Sequence, residues 1–304
     1  MAMFHIWLAE LLFYKKEFPA AEQAARKALA IDPNDVSALG QLFVALMEQK
    51  KKNDAREVMA RLVALQPPDA RLQHASASLR GATIENAPKE FVTTLFDGYS
   101  DNFDHHLQQV LSYKMPSLIA DKIRSLPAMQ GRSSLSLLDL GCGTGLVAEA
   151  LRDITSLRVG IDLSEKMLEQ AHAKQLYTEL NKSDIVDFML TCNRTFDLVV
   201  ATDVLIYVGN LRPLFKTART VLSPGGLLAF SIEKNEGPDA FHLNQAERYS
   251  HNIPYILSLL HKEGYEILIQ EESVLRTEND QPVKGVLFVV HTRIAIPLSS
   301  SAIH

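Results

Sequence analysis

The spacing of apolar and polar positions changes along the chain and divides it into two parts. From Leu135 onward, short apolar runs typical of buried strands alternate with segments whose apolar positions recur at helical spacing. Alternating strands and helices build a parallel sheet covered on both faces, so this part predicts an α/β fold. The predicted strands are Leu135–Leu140, Leu157–Asp162, Phe196–Ala201 and Gly226–Ile232, and the predicted helices are Leu146–Arg152, Glu165–Lys174, Leu211–Leu222 and Pro254–Glu263.

The last apolar stretches follow a different pattern. Tyr265–Arg276 and Val283–Arg293 both read as strands, and the polar sequence TENDQP joins them. Two strands joined by a short polar turn form a hairpin. One edge of the predicted sheet should therefore be antiparallel.

The first part of the chain contains a repeat of 34 residues, in which Leu8 matches Leu42 and Pro33 matches Pro67. This period is typical of tetratricopeptide repeats, in which small residues let two helices pack closely and a proline closes each unit. The sequence YKKEFPAAEQAARKALAIDPND resembles the second half of such a repeat, and Ala70–Leu79 is interpreted as a capping helix. About three repeats are usually needed for stability. An array this short is therefore expected to pack on its neighbour or to self-associate.

These patterns predict three regions. Residues 1–82 form a tetratricopeptide-like helical domain, residues 83–132 a helical linker and active-site lid, and residues 133–296 the α/β domain. The middle region begins with a linker and then shows short helical patterns, interrupted by DGYSDN, at Lys89–Phe96, Phe103–Ser112 and Pro116–Ser125.

The candidate chemistry begins after the first predicted strand, in the sequence LLDLGCGTGLVAEAL. Its three glycines at alternate positions, Gly141, Gly143 and Gly145, allow positive φ angles and a close approach of the backbone to a ligand. One interpretation is a turn without a ligand, and a second is a dinucleotide site, because Gly143, Gly145 and Ala148 satisfy G-x-G-x-x-A. The Tyr-x-x-x-Lys pair of one dehydrogenase class occurs nowhere in the chain.

Asp139, two positions before the first glycine, favours a third ligand. Its negative charge would repel a pyrophosphate, whereas it would attract the ammonium and sulfonium of S-adenosylmethionine (SAM). LLDLGCGTG closely resembles the first motif of the class I SAM-dependent methyltransferases. A SAM site is therefore the preferred interpretation.

The resemblance extends from about Phe91 to Arg293 and narrows to the bacterial methyltransferases that carry N-terminal tetratricopeptide repeats. The stretches LFDGYSDNFDHHLQQVLSYKMPSLI, VLSPGG and ERYSHNIPYI support this narrowing. It implies a Rossmann-like, mostly parallel seven-stranded sheet with an antiparallel C-terminal hairpin, preceded by the all-α repeat domain.

The resemblance also implies a set of cofactor contacts. Asp162, 23 residues after Asp139, is expected to accept both ribose hydroxyls. Leu163 and Met167 are expected to flank the adenine, with Asp184 at its amino group and Ile185 on its face. The remaining implied contacts are Gly141, Cys142, Gly143, Gly145, Thr202 and Phe103.

Candidate catalytic residues follow from position at the carboxyl ends of the strands. Methyl transfer from a sulfonium is an in-line displacement, so the protein must align a nucleophile, exclude water and, where needed, remove a proton. Asp203 is interpreted as a base or an amine-orienting group, or else as a helix cap. Tyr207 stands where many relatives carry a histidine, and it either contacts the substrate or only packs.

Three further residues complete the catalytic candidates. Glu233 either contacts the substrate or is an ordinary exposed acid, and His251 is expected to reach the same pocket. Tyr99, together with Phe103, either closes over the cofactor as part of a lid or packs between helices. No metal-ligand set stands out in the sequence, so no metal is expected.

The composition of the chain restricts the classes of partner and the compartment that are expected. The chain has 304 residues and a formal net charge of −5, without a long basic cluster, which argues against nucleic acid and anionic membranes as partners. Its two cysteines, Cys142 and Cys192, form no CxxC pair, so a reducing compartment and a cytoplasmic location are expected. The initial MFHIWLAELLFY is apolar but too short to span a bilayer, and it lacks the features of a signal peptide.

Three functions fit these observations. The first is a methyltransferase acting on a small molecule at nitrogen, oxygen or carbon, whose repeats serve dimerisation or wall the pocket. The second is a protein methyltransferase that recruits a polypeptide through the repeat groove. The third is a scaffold that senses SAM without turnover. The short array and its apolar first helix favour the first function over the second.

Overall fold

The computed structural model describes residues 1–66, 69–82, 84–99, 104, 113–278 and 281–292, and of Tyr99 only the backbone. The chain divides into two compact units. One contains Met1–Ile84 together with Leu243–Glu247, and the other contains the rest of the chain. The predicted helix Phe103–Ser112 lies outside the described residues except for Asp104.

The helical unit consists of two helix pairs and one further helix, in the arrangement that the 34-residue period predicts. Its helices are α1 (Ala2–Tyr14), α2 (Phe18–Ile31), α3 (Val36–Glu48), α4 (Lys52–Leu65) and α5 (Ala70–Arg80). Asp35 and Asp69 cap α3 and α5, because their side chains accept hydrogen bonds from the first backbone amides of those helices. The core is formed largely by alanine and leucine, including Ala25, Ala28, Leu39 and Leu46, and the small side chains let the helices approach closely.

The segment Leu243–Glu247 belongs to the helical unit although it follows α5 by more than 150 positions. The Ser78 hydroxyl donates a hydrogen bond to the Asn244 carbonyl at 2.6 Å, and the Lys52 ammonium donates to the Gln245 side chain at 2.6 Å. Nε2 of His74 lies 3.2 Å from the Glu247 carbonyl. The segment thus supplies polar partners to α4 and α5 that no pattern in the sequence predicted.

The second unit is built around one twisted sheet. Its strands are β1 (Leu135–Leu140), β2 (Thr155–Asp162), β3 (Glu179–Lys182), β4 (Phe196–Ala201), β5 (Leu222–Lys234), β6 (Phe241–Leu243), β7 (Tyr249–His251), β8 (Tyr265–Glu278) and β9 (Gln281–Thr292). Strands β3, β2, β1, β4 and β5 are parallel neighbours in that order. Strand β9 pairs antiparallel with both β5 and β8. The predicted seven-stranded sheet with its antiparallel hairpin is therefore confirmed, and the three-residue strands β7 and β6 extend it beyond the end of β5.

Helices cover both faces of this sheet, as the alternating pattern predicts. They are α6 (Lys89–Tyr99), α7 (Met115–Ser125), α8 (Leu146–Ala150), α9 (Glu165–Ala173), α10 (Ile185–Thr191), α11 (Arg212–Thr220) and α12 (Ile253–Lys262). One core layer joins the sheet to α10, α11 and α12 through Met189, Phe215 and Leu260. The other joins it to α7 and α8 through Ile119 and Val147. The carboxyl ends of the parallel strands lead into the turns and loops at one edge of the sheet, where ligands of open α/β sheets bind.

Candidate active site

The turn after β1 is built from glycines in a backbone conformation that other residues rarely adopt. Gly141, Gly143 and Gly145 have φ angles of 67°, 51° and 97°. Space is limited as well, since a Cβ atom on Gly141 would lie 2.5 Å from Cγ2 of Val204. These glycines are required by the turn itself. The predicted contact Cys142 is buried between them.

Asp162 ends β2 beside this turn and holds it in place. Its two oxygens accept hydrogen bonds from the Gly143 and Ser164 amides, each at 2.9 Å. Burial raises the pKa of Asp162, although these backbone hydrogen bonds favour its charged form. The Leu163 amide is a third backbone donor, and because a carboxylate has about four lone-pair sites, Asp162 retains acceptor capacity for a ligand hydroxyl.

Asp139 lies on β1, in register with Gly160 of the neighbouring strand β2, and is almost completely buried. The Tyr177 hydroxyl donates a hydrogen bond to its Oδ2 at 2.6 Å. Burial raises the pKa of Asp139 to about 7, and the charge of Asp162 adds to this effect while the Tyr177 hydrogen bond opposes it. The carboxyl group is thus only weakly compensated and would gain from a nearby positive charge.

Two acids of the predicted lid region bond to the same turn and the adjacent helix. Asp97 on α6 accepts a hydrogen bond from the Ser164 hydroxyl at 2.5 Å. Asp104 accepts one from the Thr144 hydroxyl and pairs with Lys174 at 2.5 Å. Tyr99 and Phe103, the predicted lid aromatics, lie in sequence between these two acids; the Tyr99 side chain and all of Phe103 lie outside the described residues. Their predicted role stays a prediction.

The residues predicted at the adenine lie at the starts of α9 and α10 or directly before them. Met167 is fully buried, Ile185 is buried and Leu163 is half-buried. Asp184 caps α10, since its Oδ1 accepts from the amides of Val186 and Asp187 at 2.9 and 3.1 Å. The sequence analysis did not predict this capping role. The second carboxylate oxygen of Asp184 lies 3.6 Å from the Lys89 ammonium.

The predicted acids Asp203 and Glu233 lie at the carboxyl ends of β4 and β5 and share one guanidinium. Arg276 on β8, only 1% exposed, donates hydrogen bonds to Asp203 at 2.6 Å and to Glu233. Its Nε donates to Glu278 at 2.7 Å, and Glu278 also pairs with Arg248. Glu233 is buried, so the interpretation as an ordinary exposed acid is wrong. Burial raises its pKa even though the charge of Arg276 lowers it.

Asp203 itself has a φ angle of 55°, and its amide donates to the Ser231 hydroxyl at 3.2 Å. It does not act as the predicted helix cap, because Val204 is the N-cap of the following 3-10 helix Leu205–Tyr207. Its carboxylate is 19% exposed, which makes it the more accessible of the two predicted acids.

Two buried phenols accompany this charged cluster. The Tyr113 side chain hydrogen-bonds with Thr202, and burial, followed by the charge of Asp203, raises its pKa. Tyr207 packs edge-on against Phe96, with ring centroids 5.4 Å apart. Burial raises the pKa of Tyr207 to about 12, while Arg248 opposes the shift. Both phenols are therefore neutral near pH 7.

His251 on β7 is fully buried and bonds to backbone. Its Nε2 lies 2.9 Å from the Val208 carbonyl and 3.1 Å from the Gly209 carbonyl, so this nitrogen carries the proton and donates. Burial lowers the pKa of His251 to about 4, which keeps the ring neutral. These contacts fix the loop that follows Tyr207.

Tyr113, Tyr177 and Arg276 are the residues of this site that sequence reasoning missed. Arg276 carried a usable signal, because it is the one basic residue in the strand sequence YEILIQEESVLRTE. Tyr113 lies in a stretch that supports the resemblance, but nothing singles it out. Tyr177 lies in the loop between α9 and β3, and no motif predicts that its hydroxyl reaches Asp139.

Within the part of the chain that the structure describes, no group of three or more His, Cys, Asp or Glu side chains is arranged to hold a metal ion. The same described residues contain no helix of the length and apolarity needed to cross a membrane.

The fold and the glycine turn define a class of α/β protein, and comparisons with known proteins identify the class. Residues 138–230 match the methyltransferase domain family, and residues 7–79 match the tetratricopeptide repeat family. The magnesium protoporphyrin IX methyltransferase of Synechocystis, solved with bound S-adenosylhomocysteine, aligns at a TM-score of 0.52 with 16% identity, over 67% of this chain and all of that one. At this identity the likeness shows the fold.

Curated relatives are similar over shorter stretches. A ubiquinone biosynthesis O-methyltransferase of Coxiella burnetii is 31% identical over 103 residues, which are 33% of this chain and 44% of that protein. A malonyl-[acyl-carrier protein] O-methyltransferase of Halalkalibacterium halodurans is 30% identical over 156 residues, 49% of this chain and 53% of that protein. The chain thus spans about half the length of these relatives. The predicted combination of a methyltransferase domain with tetratricopeptide repeats on its N-terminal side is confirmed by the two family matches, and the structural neighbours are SAM-dependent methyltransferases.

Proposed function

We propose that the chain binds SAM at the glycine turn after β1 and transfers its methyl group to a small-molecule acceptor. The observation that carries the proposal is the pair of acids on neighbouring strands, the buried Asp139 and the half-buried Asp162, on either side of that turn. When bound, SAM supplies an activated methyl group on a sulfonium. The chain's own residues must bind it, orient the acceptor and remove a proton where the acceptor carries one.

The chemistry of the donor set fits this cofactor. Asp139 is a buried carboxyl with a pKa near 7, so the ammonium of a bound SAM would stabilise its charged form. Asp162 keeps acceptor capacity beside the glycine turn, which suits the ribose hydroxyls. Thr202, Cys142 and the buried faces of Met167 and Ile185 extend the proposed cofactor contacts along the ends of the strands.

On the acceptor side we assign proton removal to Asp203. Its carboxylate is partly exposed and held by Arg276, whereas Glu233 is deeper and its raised pKa weakens it as a charged group. The neutral hydroxyls of Tyr113 and Tyr207 serve as hydrogen-bond donors to the acceptor. His251 acts as a positioning residue for the loop of Tyr207, because its ring bonds to backbone.

The class of acceptor rests on the named relatives and on the charge of the cluster. The Coxiella and Halalkalibacterium proteins are both O-methyltransferases by name, which favours an oxygen acceptor. Three carboxylates and two guanidinium groups meet at the cluster, so it favours a polar acceptor of neutral or positive charge over an anion.

Calorimetric titration with S-adenosylhomocysteine tests cofactor binding. Asp162→Asn should weaken binding by at least ~10-fold, because a charge-assisted hydrogen bond is lost. Asp121→Asn, an exposed acid on α7, is the matched control and should bind as the parent does. Unfolding in urea shows whether the variant has kept its fold. Equal affinity in a folded Asp162→Asn would contradict the proposal.

Transfer of labelled methyl groups tests the acceptor. The full chain is incubated with methyl-labelled SAM and a cell extract that has been divided into small metabolites and polymers. Label in the small-metabolite fraction that is lost in Asp203→Asn supports the proposal. Label on protein instead would support the polypeptide alternative, and binding of SAM without any transfer would support the sensing scaffold.

A further inference from the structure

Helix α1 carries two apolar faces, and only one of them is packed. Ile6 and Ala9 are buried in the core of the helical unit. The opposite face holds five large side chains that are between 52% and 75% exposed, namely Met3, Phe4, Trp7, Leu11 and Tyr14. Positions three and four residues apart lie on one side of a helix, so these side chains form one continuous stripe. We call it the α1 stripe.

The two ends of the repeat array differ in this respect. At α5 the segment Leu243–Glu247 lies against the helices and exchanges hydrogen bonds with polar side chains such as Ser78 and His74. At α1 the outer face offers aromatic and aliphatic carbon, and His5 and Glu10 are the two acidic or basic residues within the helix. A contiguous patch of large exposed apolar side chains marks an interaction surface. The outer face of α1 therefore needs a partner that covers it.

We propose that a second copy of this chain covers the α1 stripe, in an antiparallel pairing of the two α1 helices about a two-fold axis. Phe4, Trp7, Leu11 and Tyr14 follow the 3-4-3 spacing of a coiled-coil seam. They are also symmetric about Ala9, since Phe4 and Tyr14 are each five positions from it and Trp7 and Leu11 are each two.

This symmetry makes the stripe complementary to itself. With two helices antiparallel and their stripes facing each other, crossing at the level of Ala9, Phe4 meets Tyr14 of the partner subunit and Trp7 meets Leu11 of the partner subunit. Each contact occurs twice, as an isologous interface requires. A foreign partner would not need this symmetry, whereas a second copy does.

The area of the stripe is sufficient for a dimer. Aromatic side chains bury up to about 250 Å² each, so the exposed parts of the five side chains present on the order of 600 Å² of surface. Two copies then bury roughly 1,200 Å², the lower end of the range for specific interfaces. The interface does not depend on the proposed methyl transfer.

Trp7 is the only tryptophan of the chain, so its fluorescence reports on the stripe alone. The full-length protein is studied by sedimentation velocity and by Trp7 emission over a series from about 0.1 to 100 μM, the range of affinity expected of a small interface. We expect the mass to rise to that of a dimer and the emission to move to shorter wavelength at the same concentration.

Leu11→Glu and Tyr14→Glu test the pairing while they preserve Trp7 as a probe. Each substitution enters the interface twice and places a charge against an aromatic ring, so the dimer dissociation constant should rise at least ~100-fold. Leu190→Glu is the matched control, because Leu190 is a similarly exposed leucine on α10 of the other unit. It should leave mass and emission unchanged.

Two results would overturn the proposal. One is a parent protein that stays monomeric at 100 μM, about the weakest affinity of interest, with Trp7 emission typical of solvent. The other is a dimer that persists in both Leu11→Glu and Tyr14→Glu with their fold intact by circular dichroism. If the monomeric parent instead shifts its Trp7 emission on adding neutral phospholipid vesicles, the stripe binds a membrane surface and the second copy is wrong.

Discussion

Each of the two units contains a buried acid, Glu22 in the helical unit and Asp139 in the α/β unit. The pKa of Glu22 is lowered and that of Asp139 is raised. In the helical unit, Glu22 receives hydrogen bonds from Lys51 at 2.7 Å, Arg26 at 2.9 Å and Gln49 at 3.0 Å. Burial raises the pKa of Glu22, but these donors together bring it below its ordinary value. In the α/β unit, burial raises the pKa of Asp139 to about 7, and Tyr177 alone is not enough to offset it.

The difference separates a structural acid from one that is set up for a ligand. Glu22 obtains its compensation from the fold and has no need of a further cation. Asp139 has little such compensation, so its buried charge destabilises the folded state unless a positively charged ligand group binds beside it. Four experiments can break or sharpen this comparison, taken from the largest expected effect to the smallest.

Arg276→Met should destabilise the α/β unit most. It would leave Asp203, Glu233 and Glu278 without the guanidinium they share, and breaking a buried ion pair costs about 3–5 kcal/mol. Urea unfolding measures the loss. Arg194→Met removes a surface pair with Glu179 and should cost less than ~1 kcal/mol. Similar losses in the two variants would show that the Arg276 cluster is not a buried network.

Replacing the carboxylate by an amide should affect mainly ligand binding at Asp139 and mainly stability at Glu22. Asp139→Asn keeps the shape of the side chain, and we expect it to weaken binding of S-adenosylhomocysteine ~10- to 100-fold without loss of stability. Glu22→Gln should leave binding unchanged and cost about 1–3 kcal/mol of stability, because its donors lose a charged acceptor. Calorimetry and urea unfolding measure the two effects. If Asp139→Asn were destabilised and bound S-adenosylhomocysteine as the parent does, Asp139 would be a structural acid and the comparison would be wrong.

The pH dependence of the two acids should also differ in sign. Since the folded pKa of Asp139 is raised to about 7, its contribution to stability is fully present below its unfolded pKa and is lost as pH rises through 7. Ligand affinity runs the other way and should rise between about pH 6 and 8, because a cationic ligand binds the charged form. The folded pKa of Glu22 is lowered, so its contribution is present above its unfolded pKa and is lost on acidification.

Titrations of the parent and of Asp139→Asn between pH 5 and 8.5, a window chosen to bracket that pKa, test this prediction. The affinity of Asp139→Asn should be flat with pH. A parent whose affinity is equally flat would show that Asp139 does not titrate in this window.

Tyr177→Phe should give the smallest effect. It removes the hydrogen bond that favours the charged form of Asp139, so the midpoint of the affinity–pH curve should move upward and the affinity at pH 7 should fall a few-fold. Tyr265→Phe is the control, since its hydroxyl donates to the Phe215 carbonyl at 2.9 Å. Each variant should lose about 1 kcal/mol of stability, and the pH midpoint should move in Tyr177→Phe alone.

The sequence predicted the central strands well because their burial gives continuous apolar runs. β1 and β4 begin and end at the predicted residues, and the C-terminal hairpin is present. β3 was missed because its sequence, ELNK, is that of a polar edge strand, and β6 and β7 are too short to show a period. Local patterns are strong where a strand is buried on both faces and weak at the edges.

The site likewise contains contacts that the sequence made predictable and contacts that it did not. The glycine turn and Asp162 are close in sequence to strands with clear patterns, so their proximity was predictable. The pairing of Arg276 with Asp203 and Glu233 joins β8 to the ends of β4 and β5, and the bond from Tyr177 to Asp139 spans two strands. Such contacts depend on the register of distant strands, which a single sequence does not encode in any local pattern.

The segment Leu243–Glu247 has a consequence for the order of synthesis. Asn244 follows its partner Ser78 by 166 positions, so the repeats leave the ribosome long before the carbonyl that Ser78 bonds to has been made. During that interval α5 has only water for these hydrogen bonds. The nascent repeats therefore reach their final form only after most of the chain has been translated, and a fragment ending at residue 84 lacks part of its own compact unit.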